Sequence, residues 1–164
     1  MGKIKPEKAV SRRAFCKWVS GGVVAIGGWK TVDTALWGTQ AAEGAMIVTK
    51  ISEVPREPYV TPLFTGPDVT RQPLVSESKD LRVSIVNFGK GVRNKFHTHD
   101  VDQLLIIIAG KGIVATEKAE KVVTVGDVVL FPAGEKHWHG ATKDSEFSHI
   151  VVTKAGSKTT QLEK

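Results

Sequence analysis

From residue 81 onward the chain is a succession of short apolar runs, cut by glycine and proline at intervals of roughly 8–12 residues. That punctuation leaves little room for helices and points to an all-β sandwich or barrel. Residues 81–88 alternate, with Val83 and Ile85 on one face, and Gly89-Lys90-Gly91 turns. Residues 104–109 are wholly apolar and read as a strand buried on both sides. Gly110-Lys111-Gly112 reads as a hairpin turn. Residues 113–116 and 122–125 follow as strands around a charged turn at 117–121. Gly126-Asp127 leads into 128–131, Pro132-Ala133-Gly134 ends that strand, and 137–141 starts another. Residues 147–152 are the last clear strand, and Leu162-Glu163-Lys164 reads as a frayed tail.

Upstream, residues 46–51 alternate well enough for a strand. Pro55, Pro58, Pro62, Pro67 and Pro73 then stud a segment with few regular runs, expected to wrap the sheet edges as an extended arm. The expected organisation is a leader over 1–41, an arm with edge strands over 42–80, a barrel over 81–155 and a tail over 156–164.

Within the barrel, His97-Thr98-His99 places two imidazoles on one face of a strand, because strand side chains alternate with a period of two. A third, His137, follows Pro132-Ala133-Gly134-Glu135-Lys136 on another strand. Three imidazoles converging from neighbouring strands suit a divalent transition metal. His139, two residues beyond His137, shares its inward face, and His149 does so if the last strand alternates Phe147, His149, Val151. Either can serve as a general base, since an unperturbed imidazole titrates near neutrality. Lys95, two before His97, either points inward to meet an anionic substrate or snorkels to the rim. Trp138 alternates with the histidines and faces outward.

The chain carries a net charge of +6 over 164 residues. Most of it lies in residues 1–41, with 7 Lys/Arg against 2 Asp/Glu, leaving 16 against 15 in the remainder. The near-neutral body gives no basic footprint for nucleic acid. Cys16 is the only cysteine, so an intramolecular disulfide is excluded.

Ser11-Arg12-Arg13-Ala14-Phe15-Cys16-Lys17 matches the twin-arginine export pattern S-R-R-x-F-x-K. A short apolar, Gly-rich run from Trp18 to Trp29 follows, too short to span a bilayer. Small residues offer cleavage positions, with Ala41 favoured. No lipidation box surrounds Cys16. The expectation is a helical leader read by the twin-arginine machinery, then a periplasmic or otherwise extracytoplasmic product with no stable membrane insertion. That route carries folded proteins, so metal can be loaded before export.

The two histidine blocks keep a fixed spacing. Gly91, His97, His99, Gln103 and Gly110 form the first, and Gly126, Pro132, Gly134 and His137 the second. Over about residues 81–152 this resembles the two signature motifs of the cupin superfamily, a small jelly-roll β-barrel. Gln103 stands where most cupins place a Glu ligand, and Ala141 where many have Asn. Gln103-Leu104-Leu105-Ile106, the segment from Gly134 to Ala141, and Ser148-His149-Ile150 resemble a narrower group that includes the manganese-dependent cupin hydroxynitrile lyases. That resemblance implies His97, His99, His137 and Gln103 as metal ligands and His149 as general base. It implies manganese first, while iron, nickel and zinc also suit the donors.

All four implied ligands are neutral, so a bound divalent ion keeps its full charge and acts as a strong Lewis acid. Three functions compete. The first is a metal-dependent lyase-like enzyme acting on a small molecule, with His149 or His139 taking a proton. The second is a dioxygenase using a redox metal and O₂, and the third a non-catalytic metal- or ligand-binding module. By analogy with cupins of this size a homodimer is expected.

Overall fold

The computed structural model describes residues 46–164, so the leader, its export motif and the cleavage position lie outside the described residues. Among the described residues ten strands run in chain order: β1 (Glu57–Pro58), β2 (Val69–Val75), β3 (Leu81–Phe88), β4 (His97–His99), β5 (Gln103–Thr116), β6 (Glu120–Thr124), β7 (Val128–Phe131), β8 (His137–Ala141), β9 (Phe147–Lys154) and β10 (Thr159–Gln161). They pair antiparallel in the order β1-β2-β3-β9-β5-β8-β4-β10, with β6 and β7 also on β5. The only helical turn among the described residues is Ile51–Glu53. The all-β expectation holds: the sheet curls into a half-barrel around one core.

β5 joins the two arms of the curl. Its first part, up to Gly110, pairs with β7 and β9. From Lys111 it pairs with β6 and β8. The register shifts between Ile107 and Ala109, and Gly110 adopts φ +69. A bulge followed by a left-handed glycine bends a strand without ending it. Gly110-Lys111-Gly112 is therefore a corner within one 14-residue strand and not a hairpin turn.

The apolar run at 104–109 also differs from expectation. Leu105 and Ile107 are buried in the core, but Leu104 and Ile106 are half-buried and Ile108 is exposed. Their outward face continues across β7 onto exposed Val128 and Leu130. Among the described residues no segment covers that face. Period-two burial, hidden by the uniformly apolar sequence, is restored by the fold.

Two further segments depart from the sequence reading. Residues 46–50 form no strand, yet the arm does cover the sheet. The Thr49 hydroxyl donates to the Leu74 carbonyl and the Gln72 amide to the Val54 carbonyl. This lays residues 49–54 over the outer side of β2 and β3, where Ile85 is buried. Pro73 does not prevent β2 from forming; the register shifts just beyond it, where a missing N–H is tolerated.

The tail is not frayed. β10 pairs with β4 along its whole length. Beyond it, Glu163 accepts two bonds from the Arg93 guanidinium, at 2.9 and 3.1 Å, and a third from the Phe96 N–H at 3.0 Å. The Arg93 bonds, then the Phe96 N–H, hold the Glu163 carboxyl below the usual carboxylate range.

The core gathers Val69, Phe88, Leu105, Ile107, Val114, Phe131 and Phe147 on the concave side. Replacing Gly110 with alanine forces a side chain into a left-handed position and its Cβ against the Glu146 carbonyl. Gly110→Ala should lower the unfolding free energy by about 1–3 kcal/mol, read as a shifted midpoint in urea denaturation.

Candidate metal centre

Two neighbouring strands bring the three histidines together. His97 and His99 lie on β4, and His97 is directly opposite His137 on β8. Their ligating nitrogens all lie within 4.8 Å of one another. Gln103, at the start of β5, places its Oε1 at 3.0 Å from His137 Nε2.

Each ring is anchored through Nδ1. His97 Nδ1–H donates to the Lys95 carbonyl and His137 Nδ1–H to the Glu135 carbonyl, both at 2.8 Å. His99 Nδ1 lies 3.0 Å from the Thr159 hydroxyl. A ring that donates through Nδ1 keeps its lone pair on Nε2. His137 Nε2 therefore faces the Gln103 carbonyl oxygen as one acceptor facing another, with no proton between them. His99 Nε2 is buried and has no partner. Converging lone pairs of this kind are what a cation satisfies, and cis ligands at ordinary bond lengths sit about 3 Å apart. The three histidines can hold a metal ion, and this donor set fits a divalent one.

Burial keeps these rings neutral. It is the largest cause pushing His97, His99 and His137 each down to about 4, with neighbouring imidazoles adding to it. The hydrogen bonds to Lys95 and Glu135 oppose the shift for His97 and His137, as Asp100 does for His99. Phe131 stacks on His137 with centroids 3.9 Å apart and fixes the ring plane.

His139 and His149 form a second, deeper pair against Phe88. His139 Nδ1 lies 3.2 Å from His149 Nε2. Asn94 fixes where the protons sit. Its Oδ1 accepts from the His139 backbone N–H at 2.7 Å, so its amide nitrogen must be the group 3.0 Å from His139 Nε2. That nitrogen donates, so His139 carries its proton on Nδ1 and donates to His149 Nε2. His149 is left with its proton on Nδ1, a buried atom without a protein partner. Burial first, then the His149 ring, holds His139 well below its usual value, and burial pushes His149 down to about 3.

Lys95 is placed differently from the inward reading. β4 begins only at His97, so the alternation does not extend back to it. Its N–H bonds the Leu63 carbonyl, its carbonyl anchors His97, and its side chain does not line the cavity beside the histidines. Trp138 faces away from the site, as expected, and carries Arg93 over its ring at 4.8 Å.

That cavity, about 120 Å³, is lined by His97, His99, Gln103, His139 and His149, with Val86 and Phe88 as apolar wall. Sequence reasoning missed Asn94, Thr159, Arg71 and Arg82, which line it too. Arg71 was hidden in the Pro-rich segment and Thr159 in the presumed tail. Arg82 sat on a strand whose other face drew attention. Asn94, three residues before His97, carried no recognisable signal.

The cupin domain family (Cupin_2) matches residues 84–153. A solved cupin-like protein from Thermotoga maritima is 30% identical with a TM-score of 0.61, covering 65% of this chain and 84% of that one. The chain belongs to the cupin family. Among curated proteins it is similar to (R)-mandelonitrile lyase from Granulicella tundricola, 38% identical over 94 residues. That match covers 57% of this chain and 65% of the lyase, just under two thirds of its length. Pectin degradation protein KdgF from Dickeya dadantii is 29% identical over 87 residues, 52% of this chain and 77% of its own.

Two outcomes follow from the proton positions. Unfolded, these histidines bind protons below about pH 6.5; folded, His97, His99 and His137 do so only near 4. Stability of the metal-free protein should be complete above about 6.5 and fall as pH drops towards 4, read as thermal midpoint against pH. ¹⁵N spectra should show His149 protonated on Nδ1. Asn94→Asp, which replaces a donor with an acceptor facing His139 Nε2, should move that proton to Nε2.

Proposed function

We propose that this chain is an exported, metal-dependent enzyme of lyase type, acting on a small molecule with a hydroxyl or carbonyl group. The observation that carries the reading is the unprotonated pair of acceptors, His137 Nε2 and Gln103 Oε1, facing each other at 3.0 Å beside His97 and His99. The similarity to a mandelonitrile lyase supports the reaction type.

In this reading His97, His99 and His137 hold the ion through Nε2 and Gln103 through Oε1. Manganese comes first, ahead of iron, nickel and zinc. When bound, the ion supplies Lewis acidity undiminished by any carboxylate ligand and polarises a substrate oxygen. His149 presents an N–H, and a neutral imidazole donor can orient and polarise a substrate oxygen much as a neutral histidine does in other enzymes. For His149 to take a proton at Nδ1 the chain through His139 must reverse, which Asn94 opposes. Base catalysis by this pair is therefore conditional on Asn94 giving up its bond. Val86 and Phe88 give the cavity an apolar wall, beside which these polar contacts are stronger than in water.

Elemental analysis of exported protein, with cyanohydrin-cleavage, aldol and oxygen-uptake assays, tests the reading. We expect about one metal ion per chain, lost together with lyase activity in His137→Ala, and no oxygen consumption. Oxygen uptake that depends on His97 would replace the lyase with a dioxygenase, and metal-replete protein inert in all three assays would leave a binding module. Export is checked separately: Arg12→Lys with Arg13→Lys should retain the precursor in the cytoplasm.

A further inference from the structure

Three buried side-chain atoms among the described residues lack a partner: His99 Nε2, His149 Nδ1 and Arg71 Nε. All three residues line the same cavity. Their chemistry differs. His99 Nε2 belongs to the metal end and offers a lone pair when its Nδ1–H donates to the Thr159 hydroxyl. The other two are donors: Arg71 Nε–H by its chemistry, and His149 Nδ1–H by the proton chain that starts at Asn94. An unpaired buried donor costs free energy unless something accepts from it.

The sheet register places these donors side by side. Arg71 on β2 is opposite Val86 on β3, and Val86 is opposite His149 on β9. Residues paired across an antiparallel sheet point to the same face. Arg71 and His149 thus face the concave side in one row, two strand spacings or about 10 Å apart at Cα. A long Arg side chain closes most of that distance. Tyr59, whose ring lies 4.8 Å from the Arg71 guanidinium carbon, supports it from the side. Arg82 is opposite Thr153, further along the same strands, and is exposed at the rim.

The charges are one-sided. Neither Arg71 nor Arg82 forms an ion pair among the described residues. No Asp or Glu lines the cavity. A guanidinium presents a planar fork of donors that matches a carboxylate. The volume, about 120 Å³, is a little under the roughly 150 Å³ that holds a benzene ring, so the group seated inside it is small.

We propose that the cavity binds a short-chain carboxylate, its carboxylate group held by Arg71 and by His149 Nδ1–H, with Arg82 at the entrance. The substrate's hydroxyl or carbonyl then lies towards His97, His99 and His137, so the substrate class is a small 2-hydroxy or 2-oxo acid. This last step rests on the metal-dependent reading above; the Arg71–carboxylate contact does not. Arg71 thereby takes the anion-binding role that the sequence offered to Lys95.

Calorimetric titration of metal-loaded and metal-free protein with glycolate, lactate and pyruvate, and with lactamide as the uncharged control, tests the proposal. The acids should bind about tenfold or more tightly than lactamide. Arg71→Gln should remove that preference, Arg71→Lys should retain part of it, and Arg82→Gln should weaken it less. Lys95→Ala should leave it unchanged. Thermal midpoints establish that the variants are folded. Equal affinity for lactate and lactamide, acid affinity within about twofold of wild type in folded Arg71→Gln, or no binding of any acid at millimolar concentration would overturn it. Inorganic phosphate displacing lactate at equal or lower concentration would overturn the carboxylate assignment. Metal content of the same samples separates the two readings. Arg71-dependent acid binding without retained metal removes the metal-dependent enzyme and leaves the anion site. Retained metal with no acid preference does the reverse.

Discussion

The passage of β5 from one arm of the sheet to the other is the constraint on which this structure depends. A single strand pairs with β7 and β9 in its first part and with β6 and β8 in its second. The curl closes only because the chain bends at the bulge and at Gly110 without losing its ladder. Gln103 opens this strand, and Thr116 at its other end is opposite His137. The corner therefore sets both the concavity and the distance across it. A straight β5 would leave an open sheet with its histidines on a flat face.

Inside that concavity, proton positions are dictated from the outside inward. Backbone carbonyls at Lys95 and Glu135 take the Nδ1 protons of His97 and His137, and a backbone N–H orients Asn94. None of these anchors is a titratable side chain. The lone pairs and N–H groups offered to the cavity are thus properties of the folded backbone, and burial keeps the rings neutral so that the pattern persists across ordinary pH.

Much of the architecture was legible in the sequence because glycine and proline mark strand ends by local stereochemistry. The histidine triad was legible because period two is a local property of a strand. What was not legible depended on contacts remote in sequence. The uniformly apolar run at 104–109 gives no hint of which side another segment covers. The glycines at 110 and 112 look alike whether a strand turns back or bends. Residues 159–163 read as tail because their partners, His97, His99, Arg93 and Phe96, lie some sixty to seventy residues earlier. The inward alternative for Lys95 came from extending the strand period past the point where the strand begins. Asn94 and Arg71 matter only through neighbours on other strands, and nothing local distinguishes them.

The β10–β4 pairing links the site to the order in which the chain is made. The strand bearing His97 and His99 is flanked on one side by β8 and on the other by Thr159–Gln161, with the Glu163 carboxylate closing the edge just beyond. These last residues leave the ribosome after every other part of the site. Until they arrive, His99 lacks the Thr159 hydroxyl and β4 has only the single pairing of His97 with His137. The histidine cluster is therefore complete only after the whole barrel has been translated.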